Sequence, residues 1–222
     1  MTLHPVDVAV LAVYFAAMVW IGLAVVRRAS KSLDHYFLAG NTLPWYVLGV
    51  SNASAMFDIT GTMWLVYNVF VYGLKGIWLP WLWPTFNQVF MMVYLSAWIR
   101  RSNALTGAEW ITTRFGEGRG AALSRAIVVL FAVVSVVGFI AYDFQGMGKF
   151  TKQFLPWDWS AETYGVLIMA VTAVYVLLGG MISVVLTDVA QFVIMAVCSL
   201  IIAVIAIDQV SPEQLRAVQD RT

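Results

Sequence analysis

The residues of this chain that are best suited to chemistry lie in the segment SNASAMFDITGTMW, residues 51–64. Asp58, near its centre, is the only formal charge between His35 and Lys75. A carboxylate deep in an apolar membrane helix costs about 2.5 to 3.5 kcal/mol on insertion scales. We therefore expect the folded protein to compensate for this charge, and the means of compensation to indicate the function.

The residues around Asp58 also weaken a helix. Small and hydroxyl side chains are frequent here, and Gly61 costs about 1 kcal/mol relative to alanine in a helix interior. We predict that the helix is interrupted near its middle. Carbonyl oxygens freed in this way are hard ligands that suit a hard cation such as sodium, with Asp58 as a nearby negative charge. Two alternatives stay open: Asp58 is protonated, or it bonds a hydroxyl of a neighbouring helix.

The composition is that of a membrane protein. Hydrophobic residues make up 61% of the chain, charged residues 11%, and the mean hydropathy is +0.82. Soluble domains contain about 25% charged residues. Uncharged stretches of sufficient length predict an all-α integral membrane protein with six transmembrane helices, at residues 6–27, 43–72, 76–99, 122–148, 162–179 and 184–207.

Several function classes find no support in the sequence. The net charge of +1 gives no indication of nucleic acid binding. Cys198 is the single cysteine, so no disulfide or thiolate metal site can form within one chain, and we expect a buried, inert thiol. His4 and His35 fall at membrane edges, and no nucleophile–base pair or metal cluster is visible, so we do not expect an enzyme.

Basic residues concentrate in the loops after the first and third predicted helices. The positive-inside rule therefore places loops 28–42 and 100–125 in the cytoplasm. The N-terminus and the polar tail 208–222 are then extracytoplasmic. We expect a multi-pass protein of the plasma (inner) membrane, with residues 1–222 forming a single membrane domain.

Four patterns resemble those of a known family. DHYFLAG at 34–40, LPW at 43–45, GAEWITTRFG at 107–116 and GGMISVVLTDVAQF at 179–192 are similar, in order and spacing, to the start of the sodium:solute symporter family. This family includes sodium-coupled sugar, proline and pantothenate carriers. The resemblance extends over essentially the whole chain.

The resemblance implies a LeuT-type inverted-repeat fold, with an extra helix at 6–27 followed by the first five-helix repeat at 43–207. The first core helix of this fold is broken at the binding site, and the tripeptide DIT at 58–60 matches the sodium-site segment of the family. By this resemblance, sodium would bind the backbone carbonyls of Met56 and Ile59. Asp58 and Thr60 would adjust charge and geometry beside the ion.

Further site residues follow from the same resemblance. Asp188 matches a family aspartate near the cytoplasmic end of the sixth helix, which implies a role in the inner ion pathway; a helix cap formed with Thr187 is the alternative. The candidate substrate-binding residues are Asn52, Ser54, Thr62 and Trp81. Helix packing explains the presence of these residues equally well.

The sugar carriers of the family place a glutamate in the segment corresponding to 76–99, where this chain carries no charge. A galactose-like substrate is therefore not favoured. The family's chains also contain a second repeat that supplies further sodium ligands. We expect residues 1–222 to be the N-terminal part of a carrier whose second repeat is missing from this sequence.

The sequence thus predicts sodium-coupled symport of a small organic solute by alternating access. Sodium is the expected coupling ion, and the expected partners are the lipid bilayer, the solute and the second repeat. The alternative is a transporter-like sensor module of a histidine kinase. The sequence that follows residue 222 would distinguish the two.

Overall fold

The structure is a computed structural model that describes residues 4–211 of the 222-residue chain, without the side chains of residues 81, 83 and 84. All regular secondary structure in this range is helical, which confirms the all-α prediction. Residues 212–222 of the predicted tail lie outside the described range. The α-helices are α1 (Pro5–Ala29), α2 (Leu33–Leu38), α3 (Trp45–Ala55), α4 (Ile59–Tyr72), α5 (Trp78–Phe90), α6 (Ser96–Ser102), α7 (Gly107–Phe115), α8 (Arg119–Phe154) and α9 (Ala161–Gln209).

The first helix begins with two complementary caps. Pro5 supplies a preset φ at the first helical position. His4 Nδ1 accepts a hydrogen bond from the N–H of Val6 at 3.3 Å, and the carboxylate of Asp7 accepts one from the N–H of His4 at 3.0 Å. The 25 residues of α1 give a length of about 38 Å, which is enough to cross a bilayer core.

The second predicted span, 43–72, is divided into α3 and α4. Helical structure ends at Ala55 and resumes at Ile59, so residues 56–58 belong to neither helix. The interruption predicted around Asp58 is therefore present. Each half, about 16 and 21 Å long, is too short to cross the hydrocarbon core alone.

The other predicted spans agree in position but differ in continuity. Residues 76–99 are divided among the end of a 3-10 segment (Gly73–Ile77), α5, a π-helical turn (Met91–Leu95) and α6. Span 122–148 corresponds to α8, which extends further at both ends. The last two spans form one element, α9, in which Gly180 has the non-helical angles φ 55° and ψ −150°.

Three helices of the described range are long and apolar enough to cross a membrane: α1, α8 and α9. The sequence predicts six crossings. The difference arises because α3 and α4 are separated by the interruption, because α5 and α6 are separated by the π-helical turn, and because two predicted spans form the single element α9. At 49 residues, α9 would be about 74 Å long if straight, more than twice the thickness of the hydrocarbon core.

The described residues form two compact units, one of residues 4–62 and 143–211 and one of residues 63–142. In the first unit, α1 and α3 pack against α9. The largest of its fully buried side chains lie on α9 and are those of Ser183, Val185 and Thr187. Cys198, further along α9, is exposed, so the expectation of a buried thiol is wrong. The C-terminal part of α9 presents its apolar side chains outward instead of into this core.

Close contact between α1 and α9 depends on a glycine. A Cβ at Gly22 would lie 2.8 Å from Cβ of Tyr175, so only glycine permits this approach without a shift of α9. Gln191 of α9 donates a hydrogen bond from Nε2 to the hydroxyl of Tyr14 on α1 at 2.7 Å. Helices α1 and α9 are thus joined by a close backbone approach and by a hydrogen bond between side chains.

The bend in α9 requires glycine for two reasons. The φ of Gly180 is in the left-handed region, and a Cβ there would lie 2.7 Å from the carbonyl oxygen of Tyr36 on α2. Tyr36 also donates its hydroxyl hydrogen to the carbonyl of Leu177 at 3.1 Å, one turn before the bend. The bend therefore lies directly against Tyr36 of α2.

Replacing Gly180 with alanine should lower the unfolding temperature more than the same change at Gly116. Gly116 has similar angles, φ 75° and ψ −162°, but a Cβ there meets nothing within 4 Å. Gly116→Ala therefore incurs only backbone strain, about 1 to 3 kcal/mol, whereas Gly180→Ala adds the overlap with Tyr36. Thermal unfolding of both variants in detergent measures the difference. Equal losses would show that the contact with Tyr36 is unimportant.

Candidate ion site at the interrupted helix

The interruption between α3 and α4 exposes backbone oxygens. The N–H groups of Met56 and Phe57 donate to the carbonyls of Ala53 (3.3 Å) and Ser54 (2.9 Å), which closes the end of α3. Among the backbone hydrogen bonds of the described range, the carbonyls of Met56 and Phe57 accept none. In a bilayer such oxygens need another partner, because hydrocarbon offers no donor.

Asp58 caps the second half of the broken helix. Its Oδ1 accepts the N–H of Gly61 at 2.5 Å, and its carbonyl accepts the N–H and the hydroxyl of Thr62 at 3.1 and 2.7 Å. A carboxylate at a helix N-terminus is also stabilised by the helix dipole. The sequence reasoning missed this capping role, although an aspartate directly before a helix start is its usual signal.

Capping uses one carboxylate oxygen of Asp58 and leaves the other available. No hydrogen bond of the described residues engages Oδ2. A Cβ at position 61 would lie 2.8 Å from this atom, so Gly61 keeps the space beside it open. The alternative in which Asp58 bonds a hydroxyl on a neighbouring helix does not describe the observed geometry, since its described partners are on α4.

Thr60 directs a hydroxyl toward α8. Its Oγ1 is buried and has no hydrogen-bond partner among the described residues. A Cβ at Gly146 would overlap this oxygen and would lie 2.6 and 2.7 Å from Cγ2 and Cβ of Thr60. Gly146 therefore allows α8 to approach α4 closely at the first turn after the interruption.

The approach of α8 brings a second acid to the site. Asp143 lies one turn before Gly146 on α8, is half-buried, and its carboxylate repels that of Asp58. Sequence reasoning did not single out this residue. The signal was present, because Asp143 is the only acidic residue in the predicted span 122–148.

Asp188 is joined to the first half of the broken helix. It lies within α9, and its Oδ2 accepts the hydroxyl hydrogen of Ser51 on α3 at 2.5 Å. The hydroxyl of Thr187 donates to the carbonyls of Ser183 and Val184 instead. The alternative of a helix cap made by Asp188 with Thr187 is therefore wrong.

The four residues proposed for substrate binding differ in exposure and in the elements that carry them. Asn52 is exposed and Ser54 is buried, both on α3. Thr62, on α4, is exposed, and its hydroxyl is already bonded to the carbonyl of Asp58. Trp81 is in α5 of the second unit, and its side chain lies outside the described part of the structure.

Comparison with known proteins assigns the chain to a family. Residues 36–221 match the sodium:solute symporter family. The chain belongs to this family. The interrupted helix, Asp143 and Asp188 all lie within the matched range.

Curated relatives of the sodium:solute symporter family are similar over most of the chain. Identity is 30% over 216 residues with sodium/glucose cotransporter 4 of Danio rerio, covering 94% of this chain and 31% of the relative. It is 29% over 213 residues with sodium/myo-inositol cotransporter 2 of Mus musculus, covering 90% and 29%. A sodium/mannose cotransporter of Bos taurus is 30% identical over 233 residues, covering 98% and 36%.

The chain therefore spans about a third of the length of these symporter relatives. No solved structure matches it significantly. Membership in the family and the three apolar helices support a multi-pass membrane protein.

Replacing Ser51 with alanine should destabilise the protein. The change removes the donor to Asp188 and leaves a half-buried carboxylate without this charge-assisted bond, at a cost of about 1.5 to 3 kcal/mol. Asn52→Ala, one residue further and exposed, should change stability by less than about 0.5 kcal/mol. Thermal unfolding in detergent compares the two variants, and equal midpoints would contradict a stabilising role for the bond.

Proposed function

We propose that this chain forms the ion-binding part of a carrier that couples sodium entry to the uptake of a small organic solute. The observation that carries the proposal is the interruption at residues 56–58, which leaves unpaired carbonyls beside a carboxylate in a member of a sodium symporter family. A hard cation satisfies both groups at once.

The proposed sodium ligands come from both sides of the interruption. The carbonyl of Met56 accepts no backbone hydrogen bond and can bind the ion directly. Ile59 is the first residue of α4, so its carbonyl takes part in the helix and has one lone pair left for an ion. Asp58 contributes charge, and Thr60 contributes a buried hydroxyl that has no protein partner. Because Asp58 also caps α4, ion binding and helix geometry are linked.

The membrane arrangement that we propose has six crossings, with α9 contributing two of them on either side of Gly180. Residues 6–27 form the extra helix and 43–207 the first repeat of a LeuT-type fold. Loops 28–42 and 100–125 are cytoplasmic because of their basic residues. The chain spans about a third of the length of its relatives. We propose that a second repeat supplies further ligands of the ion and the solute.

Sugars and polyols are the first solutes to test. The relatives are named as glucose, myo-inositol and mannose cotransporters. Residues 76–99 carry no charge, which argues against a galactose-like solute. A screen should therefore include myo-inositol, several hexoses and proline, each in sodium and in potassium.

The sodium gradient supplies enough energy for accumulation. A tenfold gradient contributes about 1.4 kcal/mol and a potential of 100 mV about 2.3 kcal/mol per ion. One sodium ion can therefore sustain about 500-fold accumulation of a neutral solute. Binding of sodium at the interruption favours the outward-open state, which is how the ion and solute become coupled by alternating access.

Replacement of Asp58 can separate its two roles. Asp58→Asn removes the charge but retains an N-cap acceptor, because asparagine caps helices as well as aspartate does. We expect this variant to unfold near the wild-type temperature and to need about tenfold more sodium for half-maximal uptake. Asp58→Ala should lose the cap as well, with a further destabilisation of about 1 kcal/mol.

The measurement is solute uptake into liposomes by the whole encoded protein over a range of sodium concentrations at constant ionic strength. Asp208→Asn, an exposed carboxylate at the end of α9, serves as the control and should behave like wild type. An unchanged sodium requirement in Asp58→Asn would refute the assigned role. Uptake that does not depend on sodium in the wild type would refute the proposed function.

A further inference from the structure

Within residues 4–211, the pair of acids Asp58 and Asp143 has no basic partner. Asp58 and Asp143 repel each other, and in the described range no Lys, Arg or His forms a salt bridge with either. The N-terminus of α4 offsets part of one negative charge through the helix dipole. The other charge has no described compensation. Two like charges held together inside a membrane protein are unfavourable unless a cation or a proton accompanies them.

A close approach of α8 to α4 lies next to this pair. Gly146, three residues after Asp143 and so on the same side of α8, lies directly against Thr60. The hydroxyl oxygen of Thr60 is buried there without a partner. Only a residue without a side chain permits this approach, since a Cβ would overlap the threonine. Asp143 therefore lies one helical turn from this contact, on the side of α8 that meets Thr60.

A buried hydroxyl, a free carboxylate oxygen and a second carboxylate are all hard oxygen donors. Buried polar atoms without partners are rare in folded proteins, and each one calls for an explanation. A monovalent cation placed among these oxygens would explain why the Thr60 hydroxyl is buried without a protein partner. It would bond Thr60 Oγ1, use the Asp58 oxygen that capping leaves available, and neutralise the uncompensated charge.

We propose that Asp143 is a further residue of the cation site, and that Asp58, Thr60 and Asp143 hold one sodium ion between α4 and α8. This inference rests on the proposed function and extends it to α8. It also gives the ion a structural effect, because its binding joins the second half of the broken helix to α8.

The test is the binding of radioactive sodium to the whole purified protein, with potassium keeping the ionic strength constant. Asp143→Asn should raise the sodium concentration for half-saturation about tenfold or more, because it removes one of two charges close to the ion. Asp143→Glu, which keeps the charge, should recover most of the affinity. Asp208→Asn should remain within about twofold of wild type.

Thermal unfolding separates an ion site from a purely structural pair. In potassium alone, Asp143→Asn should unfold at or above the wild-type temperature, because the repulsion with Asp58 is gone. Added sodium should raise the unfolding temperature of the wild type by preferential binding to the folded state, and raise that of Asp143→Asn much less. A variant that responds to sodium as the wild type does would overturn the inference.

The outcomes distinguish this inference from the function on which it rests. If Asp58→Asn weakens sodium binding and Asp143→Asn does not, the proposed function stands and the role of Asp143 is wrong. If Asp143→Glu binds sodium no better than Asp143→Asn, the charge at this position does not determine the sodium affinity, and the inference fails. If the wild type binds no sodium, both fail together.

Discussion

The backbone of a membrane-embedded helix must satisfy its own polar groups, and this constraint governs the interpretation of the interruption between α3 and α4. Each unpaired carbonyl in hydrocarbon costs several kcal/mol, so an interruption is tolerated only where something else binds the freed oxygens. Here Asp58 supplies acceptors for polar groups in the first turn of α4. Its carboxylate accepts the N–H of Gly61, and its carbonyl accepts the hydroxyl hydrogen of Thr62. The carbonyls of Met56 and Phe57 receive no such partner in the described range. This asymmetry suits a cation rather than an anion.

Glycines allow three close approaches between helices, one of which involves the broken helix. Gly22 lets α1 contact α9 at Tyr175, Gly146 lets α8 contact Thr60, and Gly180 lets α9 bend beside α2. Such close contacts are typical of membrane helices, where packing of small residues replaces the hydrophobic effect as the driving force for association. The bond from Ser51 to Asp188 then ties α3 to α9. The two halves of the broken helix therefore have different neighbours, α9 for the first and α8 for the second. An ion bound between them can influence both.

The sequence contained enough information to predict the interruption but not its partners. Gly61 and the surrounding hydroxyl residues weaken a helix locally, and a lone aspartate in an apolar run needs compensation. Both signals lie within a few residues of each other, so the sequence alone indicates the interruption. The predicted spans 162–179 and 184–207 likewise placed a break in this part of the chain, which is a bend at Gly180 within α9 instead of a loop. By contrast, the bond between Ser51 and Asp188 joins residues 137 positions apart, and no local pattern encodes it. The same is true of the contact between Thr60 and Gly146. Asp143 was visible as an isolated acid, but its significance depends on which helix packs beside it.

The central claim is that the carbonyl oxygen of Met56 binds sodium, and nuclear magnetic resonance can observe this atom directly. Met56–Phe57 is the only Met-Phe step in the sequence, so labelling Met with ¹³C at the carbonyl and Phe with ¹⁵N selects one signal from this chain. In the whole protein in lipid, replacing potassium with sodium should shift this carbonyl resonance in a saturable manner, and returning to potassium should reverse the shift. A resonance that stays unchanged at sodium concentrations that saturate binding would contradict the account.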